Sequence, residues 1–523
     1  MPTADLRRRL VELDAAIFEQ KDVLAALERD KIAVQQELDD TATFPILTLP
    51  VEITTEIFTW CLPTIQELRR DHRFFEDEEL PGTLQAPLSL ASCCRAWRAI
   101  AIATPHLWTT FPLFLEAVYR DSDQDSDSDE SDDDLDANGT TKSKRENLTK
   151  FIHRWLSRAA QRPLTFVFSI AAPGPQHDYR GPACTPACTS LHHVEGVMER
   201  YAGQLEHLDL TASFHNAFSL VGMSGVEFPL LQRVVLAGFP DDEYYIPDPI
   251  DLFRTGAPQF RELCLRETDF QLFPISLSSY YFPSDQLTRF EGRIDELLLF
   301  WHGSKLIEVK CRLDPGEVFE ESQEITLLNL QSLTLSSADS NAIPFLFGHL
   351  TLPALLSLHL SDADCTDPAS LSPFLERSKP PLRFLSIRVD EYHIDPWNHC
   401  FAAVGPTLQT LEIHSPSISF MHSFLTRATL PRLNSLTLMD CPEADYKDLM
   451  AFLYKRSTSP ELAKLQHFRL EHYPGILLDE HLFHIEGDDE SRTLSEHVLK
   501  LGRDGMSIHI GSESKTLISI GST

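Results

Sequence analysis

Leu330-Gln331-Ser332-Leu333-Thr334-Leu335, followed 25 residues later by Leu355-Leu356-Ser357-Leu358-His359-Leu360, is the stretch on which the fold turns. The same phrase recurs: an apolar residue, two variable residues, an apolar residue, one variable residue, an apolar residue. It begins at positions 205, 231, 260, 287, 306, 330, 355, 382, 408, 433 and 465. The copies are 19 to 32 residues apart, with a mean of 26, and a period of this length marks a stacked repeat architecture.

The physics of one copy explains why it needs the others. Two apolar residues separated by one position leave a strand on the same side, and a lone strand has nothing to cover them. Stacking strands in parallel supplies the cover, at ~1.5 to 3 kcal/mol per leucine-sized side chain buried. Ser372–Pro380 and Leu449–Pro460, ahead of two of the strands, read as short helices for the outer side. Gly292 and Cys311 stand in the last apolar slot of the fourth and fifth copies, so irregularity is expected there. The period and phrase resemble leucine-rich repeats. That resemblance implies an α/β fold, a parallel β horseshoe with outer helices and a concave face for binding. We place the array at 204–473. A helix-then-strand unit over 146–203 opens it, and a cap over 474–523 closes it, with Met506–Ile510 as a closing strand.

Upstream, Leu6, Leu10, Leu13, Ile17, Leu24, Leu27, Val34 and Leu38 recur at alternating steps of four and three, with Gln20 and Lys31 in two seam positions. With neither Gly nor Pro between Leu6 and Leu38, residues 1–41 are predicted to be one coiled-coil helix. Its stripe needs cover, from a second copy as a homodimer through residues 6–38 or from the body of its own chain.

Pro50 opens a further helix in which Ile53, Ile57 and Phe58 form an apolar side. After a polar insertion at about 63–86, two more short amphipathic helices follow, ended by Pro105. Leu49-Pro50, Cys94-Arg95 with Trp97, and Pro105-His106-Leu107-Trp108 occur in that order. The combination resembles an F-box, a small three-helix module, here assigned to 44–111. The resemblance implies that Leu49, Pro50, Ile53, Ile57, Leu88, Leu90, Trp97 and Trp108 contact a Skp-family adaptor, some of them, Trp97 above all, serving instead as the module's own core. It also implies that the adaptor links the chain to a cullin. The expected function is then substrate recognition in an SCF-type cullin-RING ubiquitin ligase. The receptor performs no bond chemistry and contributes proximity between an unidentified target protein and charged ubiquitin. The rival reading is a repeat scaffold that binds the adaptor for assembly or trafficking outside any ligase.

Acidic residues outnumber basic ones by 78 to 45, and Asp121 to Asp136 alone supplies 10 of the 33 excess negative charges. Residues 112–145 are therefore expected to be a disordered acidic linker. Such a surface repels phosphate backbones and anionic lipid, so neither nucleic acid nor membrane is an expected partner. The N-terminus lacks the apolar stretch of a signal peptide, no run of about 18 apolar residues is present, and ten scattered cysteines suit a reducing compartment. An intracellular location, cytoplasmic or nuclear, follows as the expectation.

Nucleotide, hydrolase and zinc-protease motifs are absent from the sequence, and no catalytic residue, metal site or cofactor is predicted. Cys184 and Cys188 with His192 and His193 are the nearest to a ligand cluster, but their loose spacing reads better as a loop with free thiols. Alternation instead places Arg266, Arg289, Arg293, Lys310 and Arg312 on the face expected to be concave, together with Glu262, Glu291 and Glu308. This is either a site for an acidic or phosphorylated target segment or a mixed, solvated surface.

Overall fold

The structure, a computed structural model, describes residues 3–41, 47, 49–70, 86–115, 149–170, 191–213, 226–239, 250–251, 256–267, 280–281, 284–293, 305–313, 324–337, 342–361, 367–389, 395–427, 430–441, 446–472, 500–512 and 515–520. They form two units, Met1–Trp108 and Thr109–Thr523. Most of the predicted acidic linker, and Cys184 with Cys188, lie outside the described residues.

The first unit is helical. α1 runs over Thr3–Thr41, as the uninterrupted stripe predicts. α2 (Val51–Trp60) starts behind Pro50, α3 covers Ile65–Arg70, α4 Ala86–Cys93 and α5 Arg95–Ala103, and a 3-10 turn at Pro105–Trp108 ends the unit. α3 corrects the expectation of three helices, because it sits inside the stretch assigned to a polar insertion. Its cause is local: the Thr64 side chain accepts from the Glu67 N–H at 3.2 Å while Glu67 accepts from the Thr64 N–H at 2.7 Å, a reciprocal cap, and Leu68 is then buried. Phe58 and Trp97 meet edge to face at 5.1 Å, and the buried Trp108 donates its indole N–H to the Ala101 carbonyl at 2.8 Å.

The second unit is built on one sheet. Its strands are β1 (Thr110–Leu115), β2 (Leu164–Ile170), β3 (Leu205–Ser213), β4 (Arg233–Phe239), β5 (Glu262–Glu267), β6 (Arg289–Arg293), β7 (Glu308–Leu313), β8 (Ser332–Ser337), β9 (Ser357–Ser361), β10 (Phe384–Arg388), β11 (Thr410–His414), β12 (Ser435–Cys441), β13 (His467–His472), β14 (Ser507–Ser512) and β15 (Lys515–Ile520). They lie side by side in chain order. The first fourteen are parallel and β15 turns back antiparallel on β14. Each copy of the sequence phrase falls on one of β3 to β13.

Register carries the stability. Phe111, Phe166, Leu208, Val234, Leu263, Phe290, Val309, Leu333, Leu358, Leu385, Leu411, Leu436, Phe468 and Ile508 stand next to one another across the sheet. None is more than 5% exposed. The backbone ties the units as well: the Gln331 carbonyl accepts from both Leu356 and Ser357, the Leu356 carbonyl from both Arg383 and Phe384, and the Arg383 carbonyl from both Gln409 and Thr410.

Gly292 does break the pattern, since β5 and β6 stay paired only as far as Cys264 and Glu291. Cys311 does not; it is buried and paired with Leu335. The start of the sheet differs from expectation too. Residues 112–115, assigned to the acidic linker, belong to β1. The apolar run there outweighs the charge that follows it, and Pro112, which lacks an N–H, is tolerated because β1 lies at the edge. At the other end the predicted closing strand forms as β14, but β15 is the true edge.

Helices line the second unit where the sequence places them and elsewhere: α6 at 149–158, α7 (Leu191–Tyr201), α8 (Ala342–His349), α9 (Pro368–Ser378), α10 (Asp395–Val404), α11 (Ile418–Arg427) and α12 (Tyr446–Thr458). An aromatic seam joins the later ones: Phe347 stacks on Phe374 at 4.7 Å, Trp397 meets Phe420 at 6.4 Å, and Phe424 meets Phe452 at 6.3 Å. α9 is capped at its start by Asp367 and closes at Lys379, which takes φ 44° and ψ 49°. Left-handed backbone costs a side-chain-bearing residue ~1 kcal/mol. Lys379→Gly is therefore expected to stabilise the chain by about that amount, a shift a chemical denaturation midpoint will register. Among the described residues no helix is long and apolar enough to cross a membrane.

Candidate functional site

Among the described residues, the surfaces on which the sequence places partner contacts lie on α2 of the first unit and on the sheet of the second. On α2, Thr54 and Phe58 point into the helical core. The opposite side is apolar and uncovered: Ile53, Ile57 and Trp60 follow one another at i, i+4 and i+7, with Trp60 82% exposed. Leu47, ahead of the helix, and Val51, at its first position on another side, are exposed as well. The Trp60 indole N–H donates to Glu56 at 3.0 Å, which holds the ring against the helix surface. A large aromatic presented this way has no reason in the fold of the unit itself, and contiguous exposed apolar residues mark interaction sites.

The eight residues predicted for adaptor contact separate accordingly. Pro50, Ile53 and Ile57 are exposed, and Leu49 and Leu88 are half-buried. Leu90 and Trp108 are core residues, 7% and 0% exposed, and take the core role that the sequence reading allows for some of the eight. The 3-10 turn carries Trp108 under Ala101, where its N–H finds a backbone acceptor. Trp97 is intermediate: it packs on Phe58, and its indole nitrogen has no hydrogen-bond partner among the described residues. Trp60 was missed by the sequence reading, although the spacing of Ile53, Ile57 and Trp60 held the signal.

In the second unit the residues alternating with the buried rows line the other face of the sheet, which is open along much of its length but covered at Val167, Asp209, Val235, Cys264 and Ser386, each at most 5% exposed. Arg266, Arg289, Arg293, Lys310 and Arg312 all fall there, as predicted, and Arg293 sits beside Arg312 in adjacent strands. Acidic neighbours answer them. Arg233, Glu262, Arg289 and Glu308 form one cross-strand row of alternating sign, with nitrogen–oxygen distances of 3.8, 3.1 and 3.3 Å. Arg266 reaches Glu291 at 3.4 Å and Lys310 reaches Glu308 at 3.4 Å. Exposed pairs of this kind contribute at most ~1 kcal/mol each. An anionic partner would nonetheless have to displace carboxylates already in place. From β8 onward small uncharged side chains predominate on this face, Ser332, Thr334, Ser336, Ser357, Thr410, Ser435 and Thr437 among them, with His359 stacked on Phe384, His414 beside Ser386, and charge confined to Arg388, Glu412 and the Arg469–Glu471 pair.

No family model and no curated protein matches this chain.

The chemistry available at these surfaces follows from the side chains themselves. Ser386 and His414 approach to 3.3 Å, the only described hydroxyl–imidazole contact on the open face. Ser386 is fully buried, however, so its hydroxyl is closed to a substrate, and burial holds the His414 imidazole below its ordinary pKa. Burial likewise pushes the thiols of Cys264 and Cys400 up, to about 11 and about 12, which keeps them protonated and unreactive. Among the described residues no cluster of His, Cys, Asp and Glu could hold a metal ion. A cavity of about 20 Å³ lies between β1, β2, β3 and the helices beside them, lined by Phe111, Ile152, Phe166, Met198 and Leu208. It is apolar and no larger than a water, which makes it a packing void.

Proposed function

We propose that this chain is the target-recognition subunit of an SCF-type cullin-RING ubiquitin ligase. Its first unit acts as an F-box that binds a Skp-family adaptor, and its second, a leucine-rich-repeat array, holds the target protein. The observation that carries the reading is the uncovered Ile53, Ile57 and Trp60 face on the helix that opens behind Leu49-Pro50. It lies on the element for which the sequence resemblance implies adaptor contact, and its apolar character suits a stable subunit interface. The array suits the second role because a fourteen-strand parallel sheet exposes a long row of variable side chains at fixed spacing. Target capture is assigned to that open face. Its Ser- and Thr-rich half from β8 onward is the more accommodating part, since the Arg-bearing half is already paired internally.

The test is co-purification of the full-length chain with a Skp-family adaptor and a cullin. The double variant Ile53→Asp, Ile57→Asp is expected to reduce adaptor recovery by at least 100-fold, roughly 3 kcal/mol or more, because two charges enter an apolar interface. Both side chains are exposed in the chain itself, so thermal stability should hold. Undiminished adaptor recovery from a folded double variant would sink the F-box assignment. Recovery of adaptor without cullin by the unmodified chain would leave the scaffold reading in its place.

A further inference from the structure

Among the described residues, α1 is the one long element whose apolar stripe has no cover. Leu10, Leu13, Ile17, Leu24, Leu27 and Val34 are each between 51% and 64% exposed along a helix of 39 residues. Leaving such a seam in water is unfavourable, and a helix of this pattern is covered by another helix. Its heptad assignment is fixed by the steps of three and four: Leu10, Ile17, Leu24 and Lys31 occupy a positions, and Leu13, Gln20, Leu27 and Val34 occupy d positions. The exposed Val11, Phe18 and Ile32 form only a single column, outside this seam and separated from it by Lys21 and Glu28, and a single column cannot interlock with a second helix.

The two polar seam residues decide how a second copy would lie. In a parallel, in-register pair, like positions face each other, so Lys31 would meet the partner's Lys31 inside the seam, two ammonium groups side by side that Asp30 of each helix could offset only from the flank. In an antiparallel pair, a positions face d positions. One register then sets Lys31 against the partner's Gln20, whose side-chain carbonyl accepts from the ammonium. The same register closes Leu24 on the partner's Leu27 and Ile17 on the partner's Val34, with every pair repeated by symmetry. On the flanks Lys21 comes beside the partner's Glu28, again twice, and the other flank sets Val23 beside the partner's Asp30, so no like charges meet.

We propose that this chain forms a homodimer in which α1 pairs antiparallel with α1 of a second copy, in the register that matches Lys31 to Gln20. The occupant of the seam is another copy because the sequence of the helix complements itself in both its polar layer and its charged flank. Paired this way, the C-terminal ends of the two helices are about 45 Å apart at 1.5 Å per residue. The inference does not depend on what the chain binds elsewhere.

The test uses two variants of the full-length chain, Ile17→Cys and Val34→Cys, oxidised alone and as a mixture, with disulfide-linked peptides identified by mass spectrometry. That identification separates the new cysteines from the exposed native Cys61 and Cys93. The expected result is a link between position 17 of one chain and position 34 of the other, formed only in the mixture. Two position-17 cysteines would lie about 25 Å apart in the antiparallel pair and cannot bond. Links of 17 to 17 or 34 to 34 would overturn the proposal in favour of a parallel pair. A monomer by light scattering, or a dimer without the 17–34 link, would overturn it as well.

Discussion

A chain carrying Leu358→Asp loses the middle of its sheet. Leu358 is fully buried and stands between Leu333 and Leu385 in the apolar row. The substitution forfeits ~1.5 to 3 kcal/mol of burial. It also places an acid where no donor faces it, which costs several kcal/mol more whether the group ionises or stays protonated. The sum, on the order of 5 kcal/mol, approaches the whole stability of an ordinary domain. Because each unit of a stacked array leans mainly on its neighbours, failure at β9 should leave the flanking strands to unfold separately. Calorimetry or circular dichroism is expected to show a lower and broader transition, split in two. Ser357→Asp, one residue away on the open face, should change the melting temperature little. Equal effects from the two variants would refute the register.

The second large effect is expected at Arg456. This side chain is 1% exposed and, among the described residues, pairs with no carboxylate; Nη2 instead donates to the carbonyls of Leu430 at 2.9 Å, Leu433 at 2.8 Å and Ala463 at 3.3 Å. The guanidinium lies 5.6 Å from the centre of the Phe452 ring. Burial lowers its pKa to about 10, so it remains charged at neutral pH. Arg377, in the last turn of α9, does the same for the Phe347 and Leu350 carbonyls. In both cases an arginine at the end of an outer helix gathers the carbonyls that an adjoining turn cannot satisfy internally. Arg456→Ala strands these acceptors at ~1 to 3 kcal/mol each, partly relieved by entering water, so a loss of about 3 to 5 kcal/mol is expected. Arg456→Lys should recover only part of it, since an ammonium cannot span the same acceptors in a plane. Urea denaturation of the two variants measures both values, and a loss under ~1 kcal/mol for the alanine variant would show that water replaces the side chain.

The legible parts of this protein were those written in short-range periodicity. Eleven phrases located eleven consecutive strands, and the alternation inside each phrase fixed which residues form the inner apolar rows; it did not foresee that Asp209, Val235, Cys264 and Ser386, in variable slots, are buried as well. The long helix α1 followed from its uninterrupted stripe. At the candidate site the same reading found Ile53 and Ile57, because they share a face with the helix opening at Pro50. It passed over Trp60 on the same face, and over α3, whose Thr64–Glu67 cap is a local signal inside a stretch that otherwise reads as polar.

Amino-acid order alone thus determined the parallel sheet, its register and its apolar rows, since these depend on residues one, two and about 26 positions apart repeating the same demand for cover. Tertiary structure decided which of several apolar residues in the helical unit became core and which became surface: Trp108 went under Ala101 while Trp60 was left outside, a choice set by where the other helices lie. It also decided that the arginines of the open face are met by Glu262, Glu291 and Glu308, and that Arg456 serves backbone carbonyls. A charged side chain takes whatever acceptor the fold brings within ~3 Å, and that acceptor comes from strands and turns whose separation along the chain carries no mark in the local sequence.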